Sequence, residues 1–224
     1  MKRIPTYTIL DFETSGYDPS EKKSSSHKVM ITQVACVVVS GDKLEELDRY
    51  ESYVLPYDSK LEWQEGAEKI TGITKQMLYD KGKHIKAVFK EMSELISKHS
   101  TNNQKTTLVG QNIPFDIDFL VRGYEIAGGD IYKTWNCTTI NGMPIPQFID
   151  LMDLAKLDVQ SLKSYNLESI CEHYGVEYLD GHDAMNDVLI TLEAFKAIVH
   201  KLRNNEAGVG SVKQESPRKT FEFI

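Results

Sequence analysis

The stretch Thr6-Tyr7-Thr8-Ile9-Leu10-Asp11-Phe12-Glu13-Thr14-Ser15-Gly16 decides how the rest of the chain is read. Thr6 to Phe12 is rich in β-branched and aromatic residues and predicts a strand. Side chains at i and i+2 of a strand share a face, so Asp11 and Glu13 project together while Phe12 faces the other way. Thr14-Ser15-Gly16 then turns the chain aside. Paired carboxylates repel, and each raises the other's pKa unless a cation intervenes. Hard oxygen ligands at this spacing suit Mg²⁺ or Mn²⁺. A bare Asp-x-Glu is also common as two surface acids at a strand end. Its meaning therefore depends on what else the chain brings to it.

Working outward, Gly16 to Lys28 reads as a loop, and Met30 to Val39 as a second strand apolar enough to be central in a sheet. Ser40-Gly41-Asp42 is a turn signal, and Glu51 to Leu55 reads as the third strand. Ala87, Val88, Met92, Leu95 and Ile96 fall on one helical face. Thr107 to Gly110 is a short buried strand. Asp116 to Ala127 reads as a helix closed by Gly128-Gly129, and Phe148 to Leu151 as another short strand. Leu167 to Tyr174 is a helix with Gly175 just past its end. Asp183 to Leu202 is the longest helical run. A strand meander followed by alternating helices and strands predicts an α/β fold with a mixed sheet flanked by helices.

Two further elements carry chemistry. In Gly110-Gln111-Asn112-Ile113-Pro114-Phe115-Asp116, the last acid sits in a first helical turn, where the helix dipole favours negative charge. Asp118 lies about 200° round that helix, so one of the two acids can face a site and the other cannot. Phe115 and Phe119 mark the buried side. In His182-Asp183-Ala184-Met185-Asn186-Asp187 a histidine precedes another acid, and its near-neutral pKa suits it to take a proton from water.

Each element alone is weak; in this order they resemble the three exonuclease motifs of the DEDD superfamily, histidine branch, to which the proofreading epsilon type belongs. Asp11-Phe12-Glu13-Thr14-Ser15-Gly16 is similar to the first motif, Asn112-x-x-Phe115-Asp116 to the second, and His182-x-x-x-x-Asp187 to the third. The resemblance covers about Thr6 to Arg203, with Lys69 to Thr74 and Asn166 to Cys171 as supporting stretches. It implies an RNase H-like fold and 3′-to-5′ removal of nucleoside monophosphates with two divalent metal ions, Mg²⁺ or Mn²⁺. By the same resemblance Asp11, Glu13, Asp116 and Asp187 would be the metal ligands and His182 the general base. Thr14, Ser15 and Asn112 would contact the terminal nucleotide, the Ile70–Met77 segment would pack on its base, and Asp150 would be a structural hydrogen-bonding acid. The loop Glu21 to Lys28 is longer than is usual in the family. Single-stranded DNA or a frayed 3′ end is the expected substrate. RNA, or a binding module that has lost its chemistry, are the rival readings.

Composition agrees with an enzyme of this kind. The chain has 224 residues, 41% hydrophobic and 26% charged, which is ordinary for a globular protein and excludes collagen-like, rod-like and fully disordered chains. A net charge of -7 argues against a tight duplex binder that relies on many lysine and arginine contacts to phosphate. Three widely spaced cysteines offer no zinc ribbon. The longest apolar run, Val34 to Val39, is far short of the ~20 residues that span a bilayer, so the expectation is a soluble, cytoplasmic protein without membrane association. The division expected is an exonuclease domain over 1–203 and a flexible tail over 204–224. The end of that tail, Phe221-Glu222-Phe223-Ile224, is read either as a strand folding back on its own domain or as a peptide docking on a polymerase or sliding clamp. Lys22, Lys23 and Lys28 are read as a basic arm toward the substrate backbone or as solvated loop.

Overall fold

A computed structural model describes residues 5–16, 25–101, 104–179 and 182–205. Its centre is a five-stranded sheet formed by β1 (Thr6–Thr14), β2 (Ile31–Ser40), β3 (Glu46–Tyr53), β4 (Thr107–Gly110) and β7 (Phe148–Asp150). The strand order is β3-β2-β1-β4-β7. β1, β2 and β3 form an antiparallel meander, and β4 and β7 add in parallel on the other side of β1. The mixed sheet expected from the sequence is therefore present. A separate hairpin, β5 (Cys137–Ile140) and β6 (Met143–Pro146), turns at Asn141-Gly142, both at positive φ.

Strand alternation divides the core in two. Leu10, Phe12, Val34, Cys36, Val38 and Leu108 face α3 (Ile85–Lys98) and α4 (Pro114–Ala127). Ile9, Ala35, Val37, Val39 and Val109 face α6 (Leu151–Asp158), α7 (Leu167–Tyr174) and α8 (Ala184–Asn205). Every residue of β2 except Ser40 is buried, because the strand has a neighbour on each edge and helices on each face. Asp11 and Glu13 share the parity of Ile9 and so lie on the α8 side.

The helix ends follow local chemistry. Pro114 begins α4, where its missing N–H costs nothing, and Gly128 closes it at φ 68°, a conformation that disfavours a side chain. Asn166 caps α7 by accepting from Ser169 N, and Gly175 ends it, also at φ 68°. Among the described residues no helix is long and apolar enough to cross a membrane.

Several expectations need correction. The third strand begins at Glu46 and ends at Tyr53, not Glu51 to Leu55. It is an edge strand whose exposed, charged residues hide its periodicity. Leu151 opens α6 instead of closing the preceding strand, because Asp150 caps that helix through Met152 N at 2.9 Å. The helices α1 (Glu65–Thr71), α2 (Lys75–Lys81) and α5 (Ile131–Thr134), together with α6 and the β5–β6 hairpin, had no counterpart in the sequence reading. The segment with Lys22 and Lys23 falls within 17–24, and most of the tail within 206–224, both outside the described residues.

Candidate active site

The site lies where strand order changes direction around β1. β4 pairs with β1 only as far as Ile9↔Val109, and β4 ends at Gly110. Beyond that point the last turn of β1, carrying Asp11 and Glu13, faces the chain that leaves β4 for α4. Crevices at the carboxyl ends of strands, where connections diverge, are the usual binding places of open sheets.

Asn112 sits in that connection at φ 53°, a left-handed conformation that asparagine tolerates better than most residues. Asp150 secures it by accepting from Asn112 N at 3.1 Å with the same oxygen, Oδ1, that caps α6. Asp150 is thus a hydrogen-bonding acid tying two connections together, as its sequence position suggested. Pro114 then starts α4, and Asp116 in its first turn turns inward. Asp116 is 2% exposed, and its Oδ1 accepts from Phe12 N at 3.1 Å. Asp118 turns the other way and accepts from Ser26 N at 3.3 Å. Phe115 and Phe119 pack 4.8 Å apart on the inner side.

The third contribution comes from the start of α8. One ligand atom from each of Glu13, His182 and Asp187 lies within 4.8 Å of the other two. His182 is exposed and Asp187 half-buried, so the group opens to solvent on the His182 side. Asp11, two residues before Glu13, lies outside that group but near enough for its charge to act on Glu13 and for that of Asp187 to act on it. Residues separated by more than 170 positions thus meet in one cluster.

Electrostatics mark the cluster as a place for cations. Burial first, then the charges of Asp187 and Asp183, push Asp11 up to about 8. Burial, then Asp11, Asp187 and Asp183, push Glu13 up to about 9. Asp116 is raised well above the usual carboxylate range by burial and by Asp11, against the opposing hydrogen bond from Phe12 N–H. The described residues around these acids include no lysine or arginine partner for Asp11, Glu13 or Asp116. Converging oxygen donors with an excess of negative charge and one imidazole fit divalent metal ions.

Thr14 and Ser15 have internal duties. Thr14 Oγ1 donates to Gly16 O at 2.8 Å. Ser15 Oγ donates to Glu62 O at 2.6 Å and accepts from Met30 N at 2.9 Å, and Ser15 is 1% exposed. Ser15 is therefore a fastener joining the end of β1 to the approaches of β2 and α1. In the Ile70–Met77 segment, Ile70 is exposed and Ile73 is buried. Two residues at the site were not singled out from sequence, Asp183 and Gln33. An acid one residue before a long helix is an N-cap signal, and Asp183 Oδ1 does accept from Asn186 N at 3.1 Å. Gln33 gives no sequence signal.

The chain belongs to the exonuclease family. The family model named for RNase T and described as exonuclease matches residues 8–195. Among curated relatives, a DNA polymerase III of PolC type from Bacillus cereus is 30% identical over 186 residues, 83% of this chain and 11% of its own. The DNA polymerase III subunit epsilon of Aquifex aeolicus is 25% identical over 88% of this chain and 82% of its own. The 3′-5′ exonuclease DinG of Bacillus subtilis is 25% identical over 88% of this chain and 18% of its own. The chain spans little more than a tenth of the PolC-type proteins. Among solved structures, E. coli exonuclease I in complex with a dT13 oligonucleotide superposes with a TM-score of 0.70 at 22% identity, over 91% of this chain and 43% of that one. That likeness bears out the RNase H-like fold.

Proposed function

We propose that this chain is a metal-dependent 3′-to-5′ exonuclease that releases nucleoside monophosphates from DNA 3′ ends. The observation that carries the reading is the group of Glu13, His182 and Asp187, with Asp11 and the buried Asp116 near enough to act on it electrostatically. Asp11, Glu13 and Asp187 would hold one ion, and Asp11 with Asp116, the latter through water, would hold the other. Divalent ions bound there supply countercharge to the scissile phosphate and its leaving oxygen. His182, on the exposed rim, takes the proton of the water that attacks phosphorus. The 3′ oxygen of the penultimate nucleotide leaves with the shortened strand, and the terminal nucleotide leaves as its 5′-monophosphate. Asn112, exposed in the connection after β4, and Thr14 are the candidate contacts to the terminal nucleotide, with the exposed Ile70 as the surface for its base; the hydroxyl, N–H and C=O of Ser15 are already bonded within the chain.

DNA as substrate is supported by relatives that are DNA polymerase III parts by name. Proofreading or repair is the role that accompanies this reading. The docking of Phe221 to Ile224 on a polymerase or clamp rests on residues outside those described.

The test uses 5′-labelled single-stranded DNA and RNA of one sequence, with Mg²⁺, Mn²⁺ or EDTA. Stepwise shortening of DNA from the 3′ end with either metal, and none in EDTA, is the expected result. Shortening of RNA alone would reassign the substrate. Intact DNA and RNA in both metals would overturn the assignment.

A further inference from the structure

Gln33 lies in β2 directly opposite Glu13 of β1. Its side chain is completely buried. A buried primary amide is tolerated where its donors and acceptor are used. Nε2 donates to Asp183 Oδ2 at 2.9 Å and to Glu51 Oε1 at 2.9 Å. Oε1 accepts from Ala184 N at 3.2 Å. The last bond fixes the orientation of the amide, because a main-chain N–H requires the oxygen and leaves the nitrogen for the two acids.

These three bonds join β2, β3 and the start of α8. Ala184 N is one of the first donors of that helix, which has no partner within the helix itself. Asp183, the second point of attachment, also accepts from Asn186 N with Oδ1 and from Asp187 N with its main-chain oxygen at 2.9 Å. The first turn of α8 is therefore clamped to the strand beside Glu13. His182 precedes the clamp by one residue, and Asp187 follows it within the first helical turn. A carboxylate at position 33 would confront Asp183 and Glu51, whereas the amide satisfies both without adding charge.

We propose that Gln33 is a positioning residue of this site: its clamp on Asp183 and Ala184 sets where His182 and Asp187 stand relative to Glu13. The inference rests on the exonuclease reading above. It predicts an effect on turnover out of proportion to the effect on substrate binding, because displacements of about 1 Å can cost about 10²-fold in rate.

The experiment compares steady-state kinetics on single-stranded DNA with Mg²⁺, alongside melting temperatures. Gln33→Met keeps the volume and removes all three bonds. The expected result is a kcat lower by about 10²-fold with KM within about threefold of wild type. Gln33→Glu should fall similarly. Adding Asp183→Asn to Gln33→Glu exchanges amide and carboxylate while keeping an acceptor for Ala184 N and a cap for Asn186 N; Glu51, the other partner, is exposed and can turn its carboxylate into solvent. That double variant should recover to within about fivefold of wild type, the coupling expected of two groups in contact. If Gln33→Met does not fold, the comparison of Gln33→Glu with the double variant decides alone. Unchanged kcat in the folded single variants, or no recovery in the double variant, overturns the inference. An inactive wild type would instead strike the exonuclease reading, so the two failures are distinguishable.

Discussion

The main-chain N–H of Phe12 donates to the carboxylate of Asp116 across 104 residues of sequence, at 3.1 Å and out of contact with solvent. This one bond registers the first turn of α4 against the end of β1. It also gives a buried acid with like charges nearby a structural duty: the carboxylate is the acceptor that holds the end of β1.

Asp116→Asn and Asp116→Ala should consequently part company. Both should lose nuclease activity, since neither provides a carboxylate. The amide keeps an acceptor for Phe12 N and relieves repulsion from Asp11, so its metal-free melting temperature should equal or exceed that of wild type. The alanine leaves a buried N–H without a partner and should cost about 1–3 kcal/mol. Equal melting temperatures in the two variants would contradict the bond's importance.

Metal removal should make stability fall as pH rises. Asp11 and Glu13 keep their protons in the folded protein up to about 8 and about 9, against ordinary values of 3.8 and 4.5. Between those limits the folded state binds more protons than the unfolded one, so the free energy of unfolding decreases with pH. In EDTA the melting temperature should drop from pH 5 to pH 9, and Asp11→Asn should flatten the drop. Saturating Mg²⁺ or Mn²⁺ supplies the missing countercharge, so the gap between loaded and metal-free protein should widen over the same range. A metal-free melting temperature that climbs with pH would be incompatible with these raised values.

His182→Ala should reduce kcat by about 10²–10⁴-fold, the usual contribution of a general base. Calorimetric titration with Mn²⁺ should show nearly unaltered affinity. His182 lies close enough to Glu13 and Asp187 to share an ion with them. A parallel collapse of metal affinity would therefore make it a ligand and not the base.

Gly123→Ala tests the support behind the site. A Cβ at Gly123 would come within 1.9 Å of Phe89 Cζ. Phe89 is fully buried, stacks on Phe12 at 6.3 Å and meets Tyr124 edge-on at 5.2 Å. Overpacking of this kind costs about 1–3 kcal/mol, which outweighs the gain of up to about 1 kcal/mol from replacing a helical glycine. Urea denaturation should register the net loss; a stabilised variant would mean that Phe89 has room to move.

The legible parts of this protein were those governed by short-range rules. Asp11 and Glu13 share a face because a strand alternates, and Asp116 and Asp118 diverge because a helix turns by 100° per residue. Gly128 and Gly175 mark helix ends because the left-handed conformation suits them. Edge elements were harder to see. Strand β3 presents Glu46, Asp48, Arg49 and Glu51, whose charges look like loop until β2 is known to lie beside them. Gln33 was invisible for a related reason. In Ile31-Thr32-Gln33-Val34 it is a polar interruption of an apolar run, and its three partners come from β3 and from residues 150 or more positions away. Local periodicity cannot encode such a partner.

Ser15 and Met30 close a ring. Ser15 N donates to Met30 O at 2.8 Å, and Met30 N donates to Ser15 Oγ at 2.9 Å, so the chain between them leaves and returns through one latched doorway. Changes in the length of that interval cost little once its ends are fixed, about 0.6 kcal/mol for each doubling. The returning arm is tied down as well, since Ser26 is buried and its N–H donates to Asp118 of α4. The latch is therefore the fixed anchor from which Glu13, two residues inside it, takes its bearing.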